Sequence, residues 1–113
     1  MRIGALSLAM LVLVACGGPT SQVGTIGWEK GQAQLIVSGG DKFTLELQNR
    51  GSAPVTFRGV PGWPTKEIAA GGIQRLSSSG SQTFTLENAA SEKALVEYSF
   101  YSEGDTHIDA RVP

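Results

Sequence analysis

One histidine, one cysteine and two tryptophans are the side chains of this 113-residue sequence with the widest chemical reach. His107 stands between Asp105 and Asp109. Alternate residues of a strand share a face, so all three would stand in a row. An imidazole between two carboxylates is a weak metal-site candidate, or a contact that changes charge near neutral pH. The same pattern also suits a strand face in contact with water, and that is the expectation here. Ser77, Ser78 and Ser79 supply hydroxyls, but His107 is the only imidazole and no base adjoins the serines in sequence. A Ser-His-Asp unit is recognised by geometry rather than order, and this sequence gives no sign of one. No catalytic residue is therefore assigned, and His107, Asp105 and Asp109 stand as the one weak metal-site candidate. Trp63 lies within Val60-Pro61-Gly62-Trp63-Pro64. Two prolines fix the backbone there, and a rigid aromatic makes a good partner contact. The alternative is a tryptophan folded over the open end of the core, which is the more ordinary use of so large a side chain.

The single cysteine, Cys16, closes an apolar N-terminal run. Arg2 precedes it, and Ile3 to Val14 contains only one polar residue, Ser7. A membrane-spanning helix needs about 20 apolar residues, so the run suits an export leader better. Leu13-Val14-Ala15-Cys16 resembles the lipobox of bacterial lipoproteins. That resemblance implies a signal peptide over residues 1–15, acylation of Cys16, a tether over 16–22 and one domain over 23–113. It places the domain outside the cytoplasm, anchored to a bacterial membrane through lipid. Two or more acyl chains anchor stably where one does not. The six residues Gly17 to Gln22 reach at most about 20 Å, so a membrane-associated protein partner is expected close to the bilayer. With one cysteine, no disulfide forms within the chain.

Nine basic and ten acidic side chains leave a net charge of −1. A nucleic-acid binder usually carries a basic patch, and none is visible. No polybasic segment is present for anionic lipids either. Fifteen glycines and few long aliphatic runs favour short strands and turns.

The elements that must position these residues are read from alternation. Lys42 to Gln48 is the clearest strand, with Phe43, Leu45 and Leu47 on one face and Thr44, Glu46 and Gln48 on the other. Val23 to Trp28, Gln32 to Val37, Val55 to Phe57, Ile73 to Leu76, Ser81 to Leu86, Ala94 to Tyr101 and Thr106 to Val112 read as further strands. Ser77 to Gly80 reads as a loop, and Glu87 to Lys93 could form one helical turn. No internal repeat and no domain boundary is apparent. Seven or eight short strands predict an all-β, antiparallel Greek-key sandwich.

Leu35 to Phe57 shows a strand, a Gly40-Asp41 turn, an alternating strand ending at Asn49, a Gly51-Ser52 hairpin and Pro54-Val55. Ile68 to Gly72 and the closing segment Tyr98 to Val112 follow. Together these stretches resemble cupredoxin-like domains, and immunoglobulin-like modules share the strand pattern. The resemblance implies the sandwich fold. It does not imply the copper chemistry: the family's first histidine falls on Val55, its cysteine near Ser102, and only His107 sits near a ligand position. A blue-copper centre needs two imidazoles and a thiolate.

The expected function is a non-catalytic binding or assembly module at a membrane surface. The alternative is copper handling or electron transfer by a degenerate cupredoxin. No resident cofactor is assigned.

Overall fold

The computed structural model describes residues 19–59 and 65–113. The expected leader, the expected lipidation site Cys16 and the candidate contact Trp63 lie outside the described residues.

Among the described residues, nine strands form where apolar and polar residues alternate or where the chain runs beside such a strand. They are β1 (Thr20–Trp28), β2 (Gly31–Ser38), β3 (Lys42–Asn49), β4 (Val55–Arg58), β5 (Lys66–Ile68), β6 (Ile73–Ser79), β7 (Gln82–Asn88), β8 (Ala94–Ser102) and β9 (His107–Arg111). The sequence reading held seven or eight. It missed β5, three residues long, and it placed Ser77 to Ser79 in a loop where they complete β6. The segment after Glu87 forms no helical turn; β7 continues through Asn88 and a short connection leads to β8.

Every pairing is antiparallel, and the order of pairing defines the topology. β1 pairs β8, β2 pairs β7, β3 pairs β6 and β4 pairs β5. The chain from Thr20 to Ser102 is thus one long antiparallel ribbon with its tip between β4 and β5. The ribbon is wound so that successive segments alternate between two sheets. β3–β8 and β4–β7 pairings then join neighbouring turns of the winding, and β2–β9 pairing adds the last strand at an edge. The result is a four-stranded sheet, β1-β8-β3-β6, facing a five-stranded sheet, β5-β4-β7-β2-β9. This is jelly-roll connectivity, extended by β9 at one edge.

The core lies between the sheets. The four-stranded sheet contributes Ile26, Phe43, Leu45, Leu47, Val96 and Phe100; the five-stranded sheet contributes Leu35, Val37, Phe57, Phe84, Leu86 and Ile108. All four phenylalanines form one continuous chain of rings across the interior. Phe100 stacks on Phe43 at 5.4 Å, Phe43 meets Phe84 edge-on at 6.3 Å, and Phe84 stacks on Phe57 at 5.4 Å. Trp28 closes the end of the core beside the β1–β2 turn, where its Nε1–H donates to the Gly31 carbonyl at 3.0 Å.

The two seams between the sheets are closed by side chains. At the β1–β9 seam, the Gln22 amide donates to the Ile108 carbonyl and accepts from the Ile108 N–H, at 3.2 and 3.0 Å. One side chain thereby gives β9 the hydrogen bonds that another strand would have given, and an unpaired strand edge is capped. At the far end of the ribbon, buried Asn49 ties the β3–β4 crossover to the β5–β6 connection. Its Nδ2 donates to the carbonyls of Ala53 and Ile68, and its Oδ1 accepts from the Gly51 N–H, all at 2.9 Å.

Candidate functional site

The strands carry the chain back and forth between two ends of the sandwich. Thr20, the 39–41 turn, the end of β4 at Arg58, the start of β5 at Lys66, the 80–81 turn and the 103–106 turn share one end, which we call the entry end because β1 starts there. Cross-links confirm the grouping. Thr20 Oγ1 donates to the Gly104 carbonyl at 2.9 Å, the Asp41 N–H donates to Thr106 Oγ1 at 2.9 Å, and Ser81 Oγ bonds both the N–H and the carbonyl of Gly39 at 3.1 Å.

His107 begins β9 at this end, opposite Ser38. Its ring Nδ1 lies 3.4 Å from the Asp105 carbonyl oxygen. Asp105 sits in the preceding turn. Asp109 shares the exposed face of β9 with His107, and its carboxylate pairs with Arg111 at 3.4 Å. The three side chains stand along an exposed edge, and among the described residues no three His, Cys, Asp or Glu side chains gather as metal ligands. Ser77 to Ser79 lie on β6, an edge of the four-stranded sheet, while β9 is the edge of the other sheet at the opposite seam. Hydroxyl and imidazole are therefore set apart by the width of the sandwich.

The interior is filled by the apolar side chains described above, so contacts with a ligand fall to the outer surfaces. The outer face of the four-stranded sheet is arranged in cross-strand rows. Ser21, Tyr101, Thr44 and Ser77 form one row; Val23, Ser99, Glu46 and Arg75 form the next. Around the first row lies an open groove of about 570 Å³, lined by Lys42, Thr44, Ser77, Ser79, Tyr101 and Glu103 among others. Tyr101 is 45% exposed. The Thr44 and Ser77 hydroxyls are 3.3 Å apart. Arg75 is engaged by Glu46 in the neighbouring row, whereas Lys42 and Glu103 form no ion pair with a described residue. Sequence reading missed this site because a row of Ser, Tyr, Thr and Ser from four strands has no trace in any single stretch. The alternation of Lys42, Thr44 and Glu46 was its only visible part.

The fold alters the titration of Tyr98. It faces inward toward the β1–β9 seam, opposite Gly24. A Cβ at position 24 would come within 2.4 Å of the phenol oxygen, so Gly24 makes room for the ring. Burial raises the phenol's pKa, and the Asp109 carboxylate raises it further. The neutral form is favoured in the folded protein. Stability from this source is therefore full below the ordinary value near 10 and is lost as pH rises through the folded-state value. In a Tyr101→Phe variant, where Tyr98 is the remaining tyrosine, phenolate absorbance should appear at higher pH in native protein than in urea. Adding Asp109→Asn should recover the smaller part of that difference. Equal native and denatured midpoints would remove the account.

No protein-family model matches the chain, and no curated protein matches it. Among solved structures it is similar to an uncharacterized conserved protein with a double-stranded β-helix domain from Klebsiella pneumoniae. The identity is 14%, the alignment covers 90% of this chain and 91% of the other, and the TM-score is 0.55. The likeness shows the fold alone, and it matches the wound ribbon found here. It overturns the cupredoxin-like and immunoglobulin-like expectation. The physical reason lies in the connections. The Gly51-Ser52 segment is not a hairpin, since β3 and β4 belong to different sheets, and Tyr98 to Val112 is not a closing hairpin, since β8 and β9 do as well. Turn residues and spacing look alike whether the chain returns beside the strand it left or crosses to the facing sheet. The ground for a degenerate copper site falls with the resemblance.

Proposed function

We propose that this protein is a lipid-anchored, non-catalytic binding module that presents the outer face of its four-stranded sheet to a ligand held at the same membrane surface. The observation that carries the reading is the position of the groove relative to the start of β1. The first strand begins at Thr20 rather than Val23, so three residues separate it from Cys16. Fully extended, that connection reaches roughly 14 Å. Acylation of Cys16 would hold the entry end against the headgroups, and Ser21 of β1 stands in the same cross-strand row as Tyr101 and Thr44 of the groove. A short tether and a groove at the tethered end suit a ligand that is itself at the surface. The absence of chemistry in the proposal follows from where the ionisable side chains lie. Four arginines are engaged in exposed ion pairs with Glu97, Glu87, Glu46 and Asp109, and the space between the sheets is taken up by aliphatic and aromatic side chains.

Cys16→Ser separates anchor from fold. Wild-type protein in bacterial cells should sediment with membranes and incorporate labelled fatty acid, and the variant should do neither while keeping its melting temperature. Wild-type protein recovered in the soluble fraction without label would sink the anchoring proposal. A photo-crosslinker placed at Ser77 then reports on the site: adducts to envelope components are expected there and not from the same probe at Arg58 on the opposite sheet. If the adduct is a membrane protein, the partner is the protein expected from the sequence.

A further inference from the structure

The groove's chemistry narrows what it could hold. Its aromatic member, Tyr101, is flanked in register by Ser21 and Thr44, both too small to cover the ring. An exposed phenol ring offers a flat apolar face with a polar rim. Around it stand the hydroxyls of Thr44, Ser77 and Ser79, each able to donate and accept. The charged residues lining the groove are Lys42 and Glu103, one cation and one anion. An anionic ligand would meet a carboxylate as well as an ammonium, and the nearest arginine, Arg75, is already held by Glu46. A greasy ligand would find one aromatic ring among hydroxyls, since Val23, Ile73 and Leu95, the other large apolar side chains exposed on this face, lie in different rows. The volume, about 570 Å³, is in the range of small-ligand sites, and the groove is open along the sheet, so a chain could enter and leave it.

From this we infer that the groove binds a neutral oligosaccharide, with one sugar ring stacked on Tyr101 and its hydroxyls bonded to Thr44, Ser77 and Glu103. A pyranose has the matching shape: an apolar face of C–H bonds surrounded by hydroxyls that both donate and accept. The inference rests on the binding-module reading above and gives it a ligand class. Under that reading, the sugar is a glycan of the envelope within reach of the short tether.

The test is calorimetric titration of the full chain in detergent micelles with maltohexaose, N-acetylchitohexaose and, as an acidic comparison, polygalacturonate. Saturable binding of at least one neutral hexaose is expected, with no binding of the polyanion. Tyr101→Ala should weaken it at least tenfold, Ser77→Ala should weaken it severalfold, and Arg58→Ala on the far sheet should leave it unchanged, all with melting temperatures near wild type. Absence of binding to both neutral hexaoses, preference for polygalacturonate, or binding indifferent to both Tyr101→Ala and Ser77→Ala would overturn the assignment. The anchor is judged separately by fractionation: membrane-bound protein blind to sugar loses the ligand class and keeps the anchor, whereas soluble protein that binds sugar does the reverse.

Discussion

Asn49→Ala is expected to lower stability by about 2–4 kcal/mol, a large share of the roughly 5–15 kcal/mol available to a domain. Asn49 is fully buried at the end of β3. Its amide satisfies the carbonyls of Ala53 and Ile68 and the N–H of Gly51. Its own backbone accepts from the Gly71 N–H and donates to the Gly72 carbonyl. Truncation leaves three backbone groups without their partner, and a buried group left in that state costs more than a hydrogen bond contributes. The Ile68 carbonyl matters most, because its bond to Nδ2 is wholly buried; Ala53 and Gly51 lie nearer to water. Asn49→Asp separates shape from donors. An ionised carboxylate has the same outline and no N–H, so it should destabilise at least as much at neutral pH. Urea unfolding followed by circular dichroism measures both. A loss below about 1 kcal/mol for Asn49→Ala would show that the crossover is held by its backbone bonds alone.

A second asparagine repeats the arrangement. Asn88 ends β7, accepts from the Ala90 N–H at 3.0 Å and donates to the Glu92 carbonyl at 2.8 Å. Asn49 makes the same two bonds, to residues two and four positions ahead. Each asparagine ends a strand that passes its chain to the other sheet, β3 to β4 and β7 to β8. The difference is the third bond, from Asn49 to Ile68, which reaches across to another connection. That bond is the reason the Asn49 substitution is expected to cost more than the equivalent one at Asn88.

These two turns show what the sequence disclosed and what it did not. Period-two alternation placed β3, β7 and β8 with their inward residues correct, because Phe43, Leu45, Leu47, Phe84, Leu86, Val96 and Phe100 belong to a buried face and such a face is written locally. Partner choice is not written locally. β5 has three residues, too few for a period, and is a strand only because Val55 to Phe57 lies beside it. Ser77 to Ser79 look like a loop because an edge strand facing water needs few apolar residues. One signal was present and unread. Phe43-Thr44-Leu45-Glu46 and Phe84-Thr85-Leu86-Glu87 are the same four residues, each followed within three positions by an asparagine. That short repeat marks the two strands that leave their sheets at the Asn49 and Asn88 crossovers. The groove was hidden for a different reason: its Ser, Tyr, Thr and Ser come from β1, β8, β3 and β6, and only the pairing of all four brings them into a row.

The repeat also locates the core substitution with the largest expected effect. Phe43 and Phe84 each open a Phe-Thr-Leu-Glu segment, one in each sheet, and their rings meet edge-on between the sheets. Phe84 is fully buried and touches Phe57 on its other side. Phe84→Ala removes a ring from the middle of the chain of four and leaves a space walled by the rings on either side. Such substitutions cost about 3–5 kcal/mol, through lost transfer energy and the cavity left behind. Phe84→Leu keeps much of the volume, so its cost should be well below that of the alanine variant. Phe100→Ala, at the end of the ring chain, touches one ring rather than two and should fall below Phe84→Ala. The contact itself is read by a double-mutant cycle: Phe43→Ala and Phe84→Ala together should destabilise less than the sum of the singles, by about 0.5–1.5 kcal/mol. Strict additivity would mean that each ring is held by its own sheet, and that the two sheets are joined chiefly by their aliphatic neighbours.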